Sequence, residues 1–356
     1  GPCGISGAAA AREVAATLRA KLQLDGVIAP GDPVPEEYVE AALVDVTMHE
    51  VGHTLGMRHN FKASTAYSYA QLLDANFTKT NGFASSVMDY IGAFLPSNRS
   101  LPVVGSLGAE DGYNPFMGVV GAYDKHVIDY GYRPLADEQA GRQHAELAAL
   151  AAEGAANREL AFSTDEDGPR TDGSDPTASL YDMSSDPLGF YIDQIALAQR
   201  LLEDASNRTV AIGEPWTKLL PAVERYMGAA LKAGTYGAKN IGGFIFSKAH
   251  RGDPGAPDPM VPTPAADQWR ALRLILQIIS DDFWLPATDA LRWARSLPRR
   301  AGWCEGLDVY CYGLEPAELL ERVFRTRVNL LHTLVQRHRL AGLQQAEWEG
   351  LEAANS

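Results

Sequence analysis

The stretch His49-Glu50-Val51-Gly52-His53-Thr54-Leu55-Gly56-Met57-Arg58-His59 constrains this 356-residue chain more than any other. Residues four apart on an α-helix share a face, about 6 Å apart along the axis. His49 and His53 can therefore offer imidazole nitrogens to one ion. A helix continued past them would carry His59 away from that point. Gly56 supplies the stop, because glycine enters the left-handed region at little cost, ends the helix and turns the chain. The helix begins at Pro35-Glu36-Glu37, with proline and acids in the first turn. It is predicted to run to about Leu55, with Ala41, Val44, Met48, Val51 and Leu55 as the stripe facing the core.

Three neutral imidazoles, each at about 2.0–2.1 Å, hold Zn²⁺ with its fourth position open, which is the pattern of a catalytic site. Glu50 follows the first ligand directly, so its carboxylate stands beside the ion. The ion lowers the pKa of its water toward about 7 and polarises a carbonyl, while Glu50 acts as general base. The plain alternative is three unrelated histidines on a surface helix. Gly56 and His59 at fixed offsets reduce coincidence to roughly one chain in ten thousand at average residue usage.

The same eleven residues resemble the metzincin signature HExxHxxGxxH, which is accompanied by a downstream methionine turn beneath the zinc. Ser86-Val87-Met88-Asp89-Tyr90 is similar to the S-x-M-x-Y form of that turn. The resemblance implies that Met88 is the structural Met-turn residue. It also implies a catalytic Tyr90, as a fifth ligand or a donor to the transition state. HEVGHTLGMRHNFKAS, SSVMDYI, AYDKHVIDYGY and TYGAKNIGGFIF together resemble a bacterial family of zinc-dependent metalloproteases of Met-zincin type. That resemblance implies a zinc endopeptidase acting on peptide or protein substrates, exported to the periplasm or outside the cell. Asn60, after the third histidine, is not the residue typical of astacins, serralysins or matrix metalloproteases. Metzincins also place a twisted sheet before the active-site helix. Here the 48 preceding residues read as helix, loop and helix, so an upstream region of the same protein is an expected partner.

The rest of the chain reads as mainly α, with little β-sheet. Helices are predicted over 8–24, 122–130, 135–157, 187–206, 215–233, 265–280, 286–296 and 315–346, a short one near 67–74, and a strand over 242–246. The expected organisation is a metzincin-type catalytic portion over 1–133, lacking the upstream sheet, followed by a helical C-terminal domain over 134–356. That second part includes an acidic loop over 163–186, read as a long ordered loop or lid. Its clustered carboxylates leave two readings open, a solvated loop or a Ca²⁺ site of six to eight oxygens, although the spacing is not that of an EF-hand.

Acids outnumber bases 45 to 31, which argues against nucleic acid as a partner. No apolar run reaches the ~18 residues of a membrane span. Cys304 and Cys311 could close a small disulfide ring, with Cys3 left over. Two alternatives to the peptidase remain: a catalytically incomplete zinc-containing module that binds peptide or protein, and a zinc amidohydrolase on a non-peptide amide.

Overall fold

Strong helix formers wind the first segment into α1 (Ile5–Leu24), and Pro35 then launches α2 (Glu36–Thr54) with two glutamates at the positive end of its dipole. This computed structural model describes residues 5–102, 113–134, 145–168, 173–205, 216–255, 257–294, 316–336 and 339–344. After α2 come the short α3 (Tyr69–Leu73) and α4 (Ala75–Asn81), then α5 (Ala122–Tyr132) and α6 (Ala145–Ala156). The larger helices follow: α7 (Pro187–Asp204), α8 (Leu220–Gly237), α9 (Ala265–Ile279), α10 (Asp281–Ala294) and α11 (Pro316–Leu334). Strands β1 (Phe244–Phe246) and β2 (Met260–Pro262) pair antiparallel with Ile245 opposite Val261. The fold is mainly α.

The core is continuous among the described residues. Leu18 and Leu22 of α1, Tyr38 of α2, the 83–95 segment, the inner faces of α7 and α8, and Ile275, Trp284 and Leu330 belong to one buried apolar cluster. Two of its aromatic side chains have their polar ends satisfied from the backbone: Tyr226 Oη donates to Phe283 O at 2.6 Å and Trp284 Nε1 to Ile278 O at 2.7 Å.

Several expectations need correction. The apolar stripe assigned to the inner face of α2 faces the core only in part: Ala41 and Met48 pack against it and the other three do not. Val44, Val51 and Leu55 are 49%, 49% and 44% exposed, and Tyr38, His49 and Gly52 are the residues that α2 buries. The helix is aliphatic all round, so the stripe alone could not fix which side turns inward. The Asp74 carboxylate caps α4, accepting from the N–H groups of Asn76 and Phe77, just beyond the short helix predicted near 67–74 and where no further helix is predicted. The Pro-rich segment 251–264, for which the sequence predicts no strand, contains β2, where Pro262 is tolerated in an outer strand. Helix α10 begins at Asp281 and carries Pro286 inside it, and α11 ends at Leu334. The 135–144 part of the helix predicted over 135–157 lies outside the described residues, as do Cys3, Cys304 and Cys311.

Among its described residues the acidic stretch over 163–186 is part buried and part exposed, and its carboxylates form no cluster that supports a calcium site. Ser163, Asp175, Ser179, Asp182, Met183 and Ser184 are buried. Its 181–185 part passes as a strap across residues 64–67 and Tyr90: Tyr181 N–H donates to Tyr90 O at 2.8 Å, Ser184 N–H to Ser64 O at 3.0 Å and Ser185 N–H to Tyr67 O at 2.7 Å. Its carboxylates go to separate partners rather than to one point. Glu166 meets Arg58, Asp167 meets Lys248, Asp175 meets Lys62 and Asp186 meets Arg270. Asp172 lies outside the described residues.

Candidate metal centre

The end of α2 is set by hydrogen bonds that only a left-handed residue permits. Gly56 has φ 83°, its N–H donates to His53 O at 3.0 Å, and Met57 N–H donates to Gly52 O at 3.1 Å. This is the paired capping pattern of a Schellman motif. The chain reverses there and brings His59 back beside His49 and His53. The three ring centroids lie 4.8, 5.4 and 4.8 Å apart, and one ligand atom from each ring lies within 4.8 Å of the others.

Each ring is oriented through its Nδ1. His49 Nδ1 lies 2.8 Å from Val87 O, His53 Nδ1 lies 3.0 Å from Met57 O, and His59 Nδ1 lies 3.0 Å from an Asp165 oxygen. Carbonyl and carboxylate oxygens only accept, so each Nδ1 carries the proton and each Nε2 keeps its lone pair. His49 Nε2 is buried and has no hydrogen-bond partner among the described residues. Burial of an unsatisfied nitrogen is costly, and a shared metal ion removes that cost. Burial also lowers the His49 pKa, which favours the neutral, ligating form. The donor set, three imidazoles with oriented second nitrogens, fits zinc.

The turn beneath the triad is held by a residue with no signal of its own. Asp124, near the start of α5, accepts from Ser86 Oγ at 2.6 Å, from Val87 N–H at 3.0 Å and from Gly121 N–H at 2.8 Å. Met88 is fully buried, and its sulfur would lie 2.3 Å from a Cβ built on Gly52. Glycine at that position of the helix lets the methionine pack against α2. Tyr90 Oη donates to His59 Nε2 at 2.8 Å, and its ring stacks on His49 at 5.1 Å. Tyr181 stacks on the Tyr90 ring at 6.2 Å while holding φ at 59°. Such a conformation costs about 1–2 kcal/mol in a non-glycine residue.

Two further carboxyls lie under the turn. Asp89 accepts from Ser64 N–H and Asp182 from Ser64 Oγ, each at 2.8 Å, and both groups are buried. Burial raises both pKa values, that of Asp89 to about 7. Glu50, by contrast, is exposed on the outer side of α2 and makes no hydrogen bond or ion pair among the described residues. The structure thus brings together His49, His53, His59 and Tyr90, sets Met88 below them, and leaves Glu50 facing outward beside His49. Asp124 and Gly52 carry no role in the sequence reading, and Asp165 figures there only as one carboxylate of the acidic loop.

A family model of the Met-zincins matches residues 31–355. The chain belongs to the Met-zincin family. Membership and the clustered triad together support a zinc metallopeptidase in general terms. Searches of the curated proteins and of the solved structures each return no match. No described helix of this Met-zincin is long and apolar enough to cross a membrane.

Proposed function

We propose that this Met-zincin is an endopeptidase that cuts peptide or protein substrates at a centre formed by His49, His53 and His59. The observation that carries the proposal is the gathering of three imidazoles, one ligand atom of each within 4.8 Å of the others and each ring fixed through Nδ1, with the Tyr90 hydroxyl resting on His59 Nε2. Zinc, when bound there, acidifies a water and polarises the scissile carbonyl. Glu50, unpaired and next in sequence to His49, takes a proton from the attacking water at a carboxylate oxygen. The same carboxyl then returns the proton to the leaving amide nitrogen. The Tyr90 hydroxyl, 2.8 Å from His59 Nε2, donates to the oxygen that gains charge. Met88 and Gly56 act structurally, one as floor and the other as the turn that returns His59.

Export to the periplasm or beyond remains part of this proposal, as does the division into a catalytic portion over 1–133 and a helical portion over 134–356. One observation favours a second reading. Val39, Leu43 and Val46 are 46%, 61% and 58% exposed on the outer side of α2 that also carries Glu50. A zinc-containing module that binds peptide, and whose catalytic face is completed by further polypeptide, agrees with that surface.

Glu50→Gln separates the readings. The variant is expected to keep one equivalent of zinc and to lose casein cleavage by about 10²- to 10⁴-fold. New peptide N-termini in the digest distinguish a peptidase from an amidase on other amides. Equal cleavage by the variant, or failure of the parent chain to bind zinc, overturns the proposal.

A further inference from the structure

A cavity of about 880 Å³ opens between α5, α6 and the β1–β2 hairpin, and none of the three clustered histidines lines it. Its size is that of small-molecule sites, which run about 300–1,000 Å³. The walls are largely apolar and aromatic. Tyr123 and Phe162 stack within 3° of parallel at 5.6 Å, and Phe246 adds a third ring.

The charges around it are mostly spoken for. Lys62 pairs with Asp175 at 2.8 Å, Lys248 with Asp167 at 2.6 Å and Arg270 with Asp186 at 2.8 Å. Arg158 differs. Its Nε donates to Thr65 O at 3.1 Å and one terminal nitrogen donates to Ser185 O at 3.2 Å. Both acceptors are neutral carbonyls, and no carboxylate among the described residues forms an ion pair with it. Arg158 as a whole residue is exposed; the partial covering of its guanidinium lowers the pKa, and no neighbouring acid counters that shift. The two carbonyls hold the guanidinium plane while leaving its other terminal nitrogen unclaimed. Asp267 also lines the cavity, but in the first turn of α9, where the helix N-terminus favours its negative charge.

We propose that this cavity binds an organic carboxylate, with Arg158 holding the carboxylate and the Tyr123–Phe162 wall covering an apolar body. The unclaimed terminal nitrogen, together with the second hydrogen of the one bonded to Ser185 O, can meet a carboxylate with two parallel hydrogen bonds. One uncompensated cation balances one negative charge, whereas a phosphate dianion leaves excess charge facing Asp267. The site is separate from the proposed peptidase chemistry and needs no zinc. It is nonetheless connected to it by chain. Ala161 O accepts from Asn60 Nδ2 and Ser163 O from Phe61 N–H, and Asp165 then reaches His59.

Calorimetric titration with N-acetylphenylalanine, its C-terminal amide and inorganic phosphate tests this. The acid is expected to bind at least about tenfold more tightly than the amide, as loss of a charge-assisted hydrogen bond predicts. Phosphate is expected not to displace it. Arg158→Ala should erase the difference between acid and amide without changing zinc content. Should that variant fail to fold, Arg158→Gln keeps an amide donor for the carbonyls and is read in its place. Equal binding of acid and amide, unchanged preference in the folded variant, displacement by phosphate, or no binding of the acid at about 10 mM each overturns the proposal.

Discussion

Asp165 stands 3.0 Å from His59 Nδ1 although 106 residues separate the two in sequence. His59 is the only one of the three clustered histidines whose Nδ1 is oriented by a carboxylate, since His49 and His53 both use backbone carbonyls. A carboxylate in that position fixes the tautomer and raises the basicity of the ligating nitrogen. His59 is also the member of the triad that lies beyond the helix, so α2 does nothing to hold its ring. Asp165→Ala is expected to weaken zinc binding by about 10- to 100-fold, read by competition with a chromogenic chelator. Asp165→Asn, which keeps an acceptor oxygen, should fall between the two. Parent-like affinity in the alanine variant would show that the contact orients nothing.

The packing of Met88 on Gly52 gives a second prediction. A methyl group at residue 52 would stand 2.3 Å from the methionine sulfur, and Met88 is fully buried with little room to retreat. Gly52→Ala is therefore expected to destabilise the chain by about 1–3 kcal/mol, the usual cost of overpacking. Removing the methionine side chain relieves that clash, so the Gly52→Ala/Met88→Ala double variant should lose less than the two single losses added together. Strict additivity in chemical denaturation would mean that the two residues do not press on each other.

What was legible in the sequence was local. The spacing of His49, Glu50, His53, Gly56 and His59 writes a helix and its end into eleven consecutive residues, and helical geometry does the rest. Asp124 and Asp165 were illegible for the opposite reason. They act across 38 and 106 residues, and a lone aspartate on a helix or in an acidic run looks like any solvated one. The 163–186 stretch shows the same limit: its carboxylates look like free charge until their separate cations are seen. The stripe on α2 failed differently. Of that stripe only Ala41 and Met48 pack against the core, while Val44, Val51 and Leu55 share the exposed half of the helix with Val39, Leu43 and Val46, and the buried side is completed by Tyr38, His49 and Gly52. In the 67–81 region Asp74 both closes α3 and caps α4, so a break and a restart share one residue.

Gly56 supports a third prediction that concerns the backbone alone. Its φ is 83° and nothing lies within 4 Å of the position a Cβ would occupy. Gly56→Ala therefore meets no clash and should cost only the left-handed penalty, about 1–2 kcal/mol. Asparagine tolerates that region better than alanine, so Gly56→Asn should cost less. Thermal melts of the two variants check the order. An alanine variant as stable as the parent would mean that the helix can end without this turn.

The last prediction concerns the carboxyl pair beneath Tyr90. Burial first, and for Asp182 the neighbouring Asp89 second, push both groups up from the ordinary carboxylate range, with Asp89 at about 7. A carboxyl that titrates higher in the folded chain than in the unfolded one, where it titrates near 4, holds its proton more tightly when folded. Between about pH 4 and pH 7 the folded chain therefore carries more protons, and its stability declines as pH rises through that window before levelling off. Asp182→Asn removes one of the two buried acids, keeps an acceptor for Ser64 Oγ, and ends the repulsion between them. The variant should resemble the parent near pH 4.5 and exceed it in melting temperature at pH 8. Because both chains keep the same three histidines, comparison at each pH cancels the effect of losing metal in acid. Identical pH profiles for the two chains would mean that these carboxyls do not repel each other in the folded state.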